Sequence, residues 1–289
     1  MSEIGIMPPK PDALRAIFAV VKPIIGMIHL LPLPGAPRFG GGSLAPVLAA
    51  ALADARALRD GGVDGLVVEN AGDLPFSRPE EIGLETVAAM AALIGPIGAE
   101  SGLPVGVNVL ANGALPALAI ARATGAQFVR VNQWVNAYVA NEGLIEGPAA
   151  RALRYRSFIK GDDIRIFADV HVKHGAHAIV ADRSIAEQTR DAVFFDADVL
   201  IATGQRTGDA TALSEVEAIK RHTSLPVIVG SGLRADNAAE LLAAADGAIV
   251  GSWLKRDGVW WNPVDPERVR ALMAVVRALR PPAGAGGGR

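Results

Sequence analysis

The chain has 289 residues, of which 51% are hydrophobic and 20% charged, with a formal net charge of −2 and no cysteine. Balanced charge without a basic block excludes nucleic acid as the main partner, and the missing cysteine excludes disulfides, thiolate metal sites and a cysteine nucleophile. No unbroken apolar run reaches membrane-spanning length, and the Pro- and Lys-interrupted N-terminus lacks the form of a signal peptide, so the expected compartment is the cytoplasm.

In chain order, the first β-type run covers residues 24–30, followed by a helical pattern over 44–60 that opens behind Ser43. Residues 65–70 precede a helix over 79–101 with Ser77 just ahead of it, and residues 104–110 precede one over 112–124. A run at 127–132 leads into a longer segment, 133–147, read as a loop and candidate lid, and then into a helix over 148–158. Residues 164–171 and 199–203 are followed by helices over 184–195 and 211–222, the latter with Asp209 as a first-turn signal. Runs at 226–230 and 247–251 complete the series, with helices over 235–245, near Asp236, and 263–279.

Strict strand–helix alternation means parallel strands with helical crossovers. Eight such units in roughly 250 residues is the size of a closed barrel. The expected architecture is therefore α/β, a single closed (β/α)8 TIM barrel over residues 1–280, with a disordered tail at 281–289. The mean hydropathy of +0.30 fits a sheet buried on both faces.

Barrels of this kind carry function at the C-terminal ends of the strands. Those ends here carry His29, Glu69 with Asn70, Asn108, Arg130 with Asn132, Asp169 with His171, Thr203, Ser231 and Ser252, whereas the strand starts carry mostly Pro, Gly and Ile. Side chains alternate faces along a strand, so Asp169 and His171 share a direction, as do Arg130 and Asn132. The predicted catalytic set is His29, Glu69, Asn108, Arg130, Asp169 and His171. Crowded carboxylates and imidazoles suit acid–base chemistry, with Asn108 and Arg130 placed to steady a developing oxyanion. The same His29, Glu69, Asp169 and His171 are also candidate ligands for a divalent metal ion. A purely structural polar layer is the third alternative, and no other cofactor is implied. On the acid–base reading, Glu69→Gln and Asp169→Asn should both lower turnover with little change in stability.

The last two strands both end on glycine and serine. Gly230-Ser231-Gly232 and Gly251-Ser252 suit phosphate, whose oxygens approach bare backbone amides while a hydroxyl adds a donor. The formal dinucleotide fingerprint at Gly230–Ala235 lacks an acid at the end of the next strand, and no P-loop lysine motif occurs. The expected partner is thus a small phosphorylated substrate, with a homo-oligomer left open. Trp260-Trp261, after the eighth strand, is expected to pack a lid or the N-terminal segment.

Several blocks in order along the chain, from Lys22 to about Arg280, resemble the BtpA family. They are Gly26-Met-Ile-His29-Leu-Leu-Pro-Leu-Pro34-Gly, Glu69-Asn70-Ala-Gly-Asp73-Leu-Pro-Phe76, Gly106-Val-Asn108, Phe128-Val-Arg130-Val-Asn132, Asp169-Val-His171-Val-Lys173-His174, Thr203-Gly-Gln-Arg-Thr207-Gly and Gly230-Ser-Gly232. The resemblance implies a ribulose-phosphate-binding type of barrel. It brings two functional expectations: a role in sugar metabolism, and a non-catalytic biogenesis or assembly role of the kind linked to photosystem I in cyanobacteria. The chain departs from the family after the fourth strand, at Asn136 and Ala140-Asn141-Glu142-Gly143.

Overall fold

In the computed structural model, residues 9–204 and 211–281 are described. The sequence features at Asp209 and over Gln205–Gly208, and the tail beyond Pro281, lie outside them. The barrel strands are β1 (Ile24–His29), β2 (Gly65–Glu69), β3 (Val105–Asn108), β4 (Phe128–Val131), β7 (Arg165–Asp169), β8 (Val199–Ala202), β9 (Val227–Val229) and β10 (Ala248–Val250). All pair in parallel and close in the order β1-β10-β9-β8-β7-β4-β3-β2. Between them run α2 (Ala45–Gly61), α3 (Leu84–Ser101), α4 (Ala114–Thr124), α5 (Ala149–Phe158), α6 (Ile185–Phe194), α7 (Leu213–Lys220) and α8 (Ala238–Ala244), with α9 (Pro266–Leu279) last. Every predicted strand and helix is present at its place, with ends shifted by a few residues.

Alternation along each strand splits the apolar residues into two cores. Ile24, Val68, Val107, Val129 and Ile166 point outward into the layer beneath the helices. Ile25, Val67, Phe128, Phe167, Ile228 and Ile249 fill the barrel interior. Phe128 and Phe167 stack there with ring centroids 4.3 Å apart. Branched and aromatic side chains make the interior a packed core rather than a pore, so the lumen opens only toward the C-terminal ends.

The other end is sealed by a helix absent from the sequence reading. α1 (Ala13–Ile17) is capped by Asp12, whose carboxylate accepts the Arg15 amide. It inserts Ala13, Leu14 and Phe18 into the interior core, Phe18 meeting Phe128 edge-on at 6.1 Å. Lys10 ties this segment down through the carbonyls of Asp196 and Ala197 and the Asp198 carboxylate.

Two further differences concern loops and caps. Segment 133–147 is a two-stranded antiparallel hairpin, β5 (Ala137–Ala140) and β6 (Gly143–Glu146), and not an irregular loop. Its residues Tyr138 and Ile145 pack on Val172. Helix N-termini fall at Leu44, Gly83 and Asn237 without caps from their own side chains; Ser43 Oγ accepts the Ala45 amide at 3.4 Å, whereas Ser77 and Asp236 are not the N-caps of the helices they precede. Ser77 is instead followed by a separate 3-10 turn, Pro79–Glu81, that breaks the predicted 79–101 helix.

Candidate active site

A cavity of about 580 Å3 opens at the C-terminal ends of the strands. Strand register explains its polar rim. His29 pairs with Glu69, Glu69 with Asn108, and Asn108 with Arg130, so four inward side chains form a continuous arc over β1 to β4. His29, Glu69, Arg130, Gly230, Ser231, Gly232, Gly251 and Ser252 all line the cavity. Asn108, Asp169 and His171 do not.

Asp169 has a different partner from the one expected of a catalytic acid. Its carboxylate takes both Arg130 Nε at 3.1 Å and Arg130 Nη2 at 3.0 Å, and its side chain has no exposure at all. A bidentate guanidinium–carboxylate pair of this kind fixes Arg130 in one orientation. Asn108, also fully buried, donates to Asn132 Oδ1 at 3.2 Å while its own oxygen has no partner. His171 turns to Gln188, with Nδ1 3.2 Å from Oε1, and stacks on His177 at 3.7 Å, which in turn stacks on Tyr138 at 5.4 Å.

The four metal-ligand candidates therefore do not converge. Asp169 is committed to Arg130 and His171 to Gln188, which leaves His29 and Glu69. Among the described residues no group of three or more His, Asp or Glu is arranged to hold a metal ion.

His29 and Glu69 are brought together, with Nε2 and Oε1 3.9 Å apart and both side chains nearly enclosed. His29 Nδ1 lies 2.8 Å from the Trp260 carbonyl. A carbonyl only accepts, so Nδ1 carries the proton and Nε2 presents a lone pair toward Glu69. Burial, and then the charge of Lys255, depress the His29 pKa to about 3, which keeps the ring neutral. Burial pushes the Glu69 carboxyl above its usual range, against the pull of Arg130 and Lys173. Opposite shifts of adjacent groups are the arrangement that acid–base chemistry uses.

The glycines have more than one cause. A Cβ on Gly230 would lie 2.4 Å from Ile201 Cγ2 and 2.7 Å from Thr203 Cγ2, so no side chain fits there whatever the ligand. Gly232 has φ +72°, a left-handed conformation that glycine adopts freely. Gly251 sits against His29: a Cβ there would be 3.4 Å from its Cε1. The glycine–serine wall thus adjoins the imidazole through the β10–β1 pairing and does not face it across the mouth.

Sequence reasoning missed several lining residues, Arg234, Tyr138, Phe76 and Trp260, and Lys173 also lines the cavity. Trp260 belongs to the wall of the cavity itself. It meets His29 edge-on at 5.7 Å and supplies the carbonyl that sets its tautomer. Its signal was its place just after the last strand, where barrel sites concentrate. The hairpin turn that departs from the family pattern, Ala140, Asn141 and Glu142, also lines the cavity. The Asn70–Asp73 block is a clamp between loops: Asn70 Oδ1 accepts the Leu110 amide at 2.7 Å, and Asp73 Oδ1 the Leu33 amide at 2.8 Å.

The fold and the arc of inward polar groups define a (β/α)8 barrel with its site at the C-terminal mouth. Solved barrels share the architecture: Mycobacterium tuberculosis tryptophan synthase at TM-score 0.59 and 20% identity over 92% of this chain and 100% of that one. Pyrococcus furiosus thiamine phosphate pyrophosphorylase matches at 0.53 and 16% over 89% and 96%. The chain belongs to the BtpA family, whose model matches residues 20–278. A protein of Archaeoglobus fulgidus is 42% identical over 89% of this chain and 99% of its own length. The photosystem I biogenesis protein BtpA of Synechocystis is 40% identical over 89% and 88%, and a mitochondrial protein of Caenorhabditis elegans 38% over 89% and 94%.

Proposed function

We propose that this protein is an enzyme, a lyase, isomerase or hydrolase, acting by proton transfer on a small phosphorylated, sugar-like molecule. The observation that carries the reading is one cavity bounded both by the desolvated His29–Glu69 pair and by the Gly230–Gly232 and Gly251–Ser252 segments. Phosphate meets the backbone amides of those segments apart from that of Gly230, which donates to the Ala202 carbonyl at 2.7 Å, with Ser231 and Ser252 as added donors. Neutral His29 Nε2 accepts a hydrogen bond from the ligand and orients it, and Glu69, whose carboxyl burial holds above its usual range, exchanges the proton. Arg130, immobilised by Asp169, steadies developing negative charge. Asp169 acts on the reaction by positioning Arg130, and His171 has no role at the reacting atoms.

Calorimetric titration with inorganic phosphate and pentose phosphates tests the anion site. Gly232→Asp sets a carboxylate in the proposed anion position, at a backbone angle that Asp tolerates better than most residues. Binding is expected to be lost with the fold retained; unchanged binding would leave the segments as plain turns.

The Synechocystis relative's name favours a second reading, a non-catalytic assembly role. Complementation of a Synechocystis strain lacking that relative separates the two. Rescue by the parent but not by Glu69→Gln supports chemistry; equal rescue by both supports a scaffold. No helix of the described residues is long and apolar enough to cross a membrane, and the proposed compartment is the cytoplasm, to be checked by fractionation.

A further inference from the structure

The cavity wall beyond the glycine–serine segments is poorly suited to a plain sugar. It is formed in large part by Leu74, Phe76, Leu110, Tyr138, Val172 and Trp260. A hydroxyl laid on the aliphatic and ring carbons of this part of the wall gives up water without gaining a partner, which opposes binding there, while Asn141, Glu142, Lys173 and Arg234 line other parts of the cavity. The neighbouring amides are already engaged: Asn112 exchanges hydrogen bonds with the Gln133 backbone, and Asn132 accepts from Asn108. The volume of about 580 Å3 also lies well inside the range of roughly 300–1,000 Å3 that encloses drug-sized ligands. A phosphate with a short carbon chain would leave much of the apolar wall against water.

We infer that the ligand of this mouth carries a flat aromatic or heteroaromatic ring in addition to its phosphate; the inference rests on the phosphate-binding reading above. Trp260 is the main contact for the ring. Its indole is half-buried and held from two sides, edge-on to His29 at 5.7 Å and 80° and to Trp261 at 5.5 Å and 84°. A face already held in place loses little freedom on binding, and aromatic pairs gain beyond their buried area. Phe76 and Leu74, from the loop after β2, add apolar surface in the same cavity. The specificity of the site then divides in two: the glycine–serine segments select the phosphate, and the Trp260 wall selects the ring.

Matched probe pairs test this by competition calorimetry and tryptophan fluorescence. The pairs are propyl phosphate against 3-phenylpropyl phosphate, and ribose 5-phosphate against adenosine 5′-monophosphate, with inorganic phosphate as reference. The ring-bearing member of each pair is expected to bind at least ~10-fold tighter and to quench tryptophan emission. Trp260→Ala should abolish that difference by bringing each ring-bearing probe down to the affinity of its ring-free partner, and Phe76→Leu, a milder change, should reduce it. Equal affinity within each pair, with phosphate binding intact, overturns the ring and spares the anion site. Failure of inorganic phosphate and all four probes to bind overturns the anion site itself and the inference with it.

Discussion

Burial moves the two central ionisable groups in opposite directions, and each direction has a pH signature. Glu69 is raised from 4.5, chiefly by burial, so its contribution to stability is fully present below the unfolded pKa and is lost as pH rises through the folded one. Glu69→Gln is therefore expected to be more stable than the parent at neutral and alkaline pH while lowering turnover by at least ~100-fold. His29 is depressed from 6.5 to about 3. Its contribution is present above 6.5 and lost as pH falls through about 3, so His29→Gln should flatten the acid limb of a stability curve over that window. Denaturant unfolding across a pH series, with each variant alone, reads both slopes, because the two groups act with opposite sign once pH rises above 4.5. Asp169 behaves differently from the sequence expectation of little change in stability. Asp169→Asn leaves the Arg130 guanidinium buried without its counter-charge, and removing one partner of a buried pair costs ~3–5 kcal/mol. A loss below ~1 kcal/mol in chemical denaturation would contradict that account.

At the scale of elements, the starts of the strands hold as much chemistry as their ends. Asp64 accepts the Ile24 amide, Asp198 the Ile166 amide and Asp246 the Val227 amide, each at 2.8 Å. Gln127 accepts the Val105 amide in the same way, also at 2.8 Å. In every case a side chain just before one strand satisfies an amide at the start of a neighbouring strand, on the first residue of β1, β3 and β9 and the second of β7, so the row sets barrel register where the ladder runs out. Asp198 also meets Lys10 at 3.0 Å and Arg156 at 3.5 Å. Asp198→Ala should destabilise by ~1–3 kcal/mol through the orphaned Ile166 amide alone, and more if the two cations are also released; urea midpoints measure it. These acids stand in the sequence one residue ahead of β2 and β8 and two ahead of β10, at the strand starts, the end of a barrel that serves stability. Strand and helix positions were legible because hydrophobic periodicity is a local signal. The partners of Asp169, His171 and Asn108 were not, since a strand end tells which face a side chain leaves and not what it meets across the barrel. The β5–β6 hairpin and α1 were missed for a related reason: both are short, and both are stabilised by distant packing, Tyr138 on Val172 and Phe18 on Phe128.

For the whole molecule, the apolar interior separates two ends with different duties, and the separation is testable. The lower end is closed by Leu14 and Phe18, which pack with Ile25 and Phe128 in the interior core. The Phe18 ring also fills the space that a side chain on Gly65 would need. The upper end keeps Glu69 and His29 desolvated beside a cavity, a conflict that the packed layers of Phe128, Phe167 and Ile249 beneath must offset. Phe18→Ala removes a large ring from a fully enclosed position and should cost ~3–5 kcal/mol. At about 2–4 °C per kcal/mol for a chain of this size, the melting temperature should fall by roughly 6–20 °C. Phosphate affinity, measured well below the new midpoint, should stay within about twofold of the parent because the ring packs on Phe128 and over Gly65 in the interior core. Glu69→Gln is expected to show the converse: unchanged or raised melting temperature with lost turnover. If Phe18→Ala weakened phosphate binding in proportion to its loss of stability, the interior would be transmitting strain from plug to mouth, and the two ends could not be treated as independent.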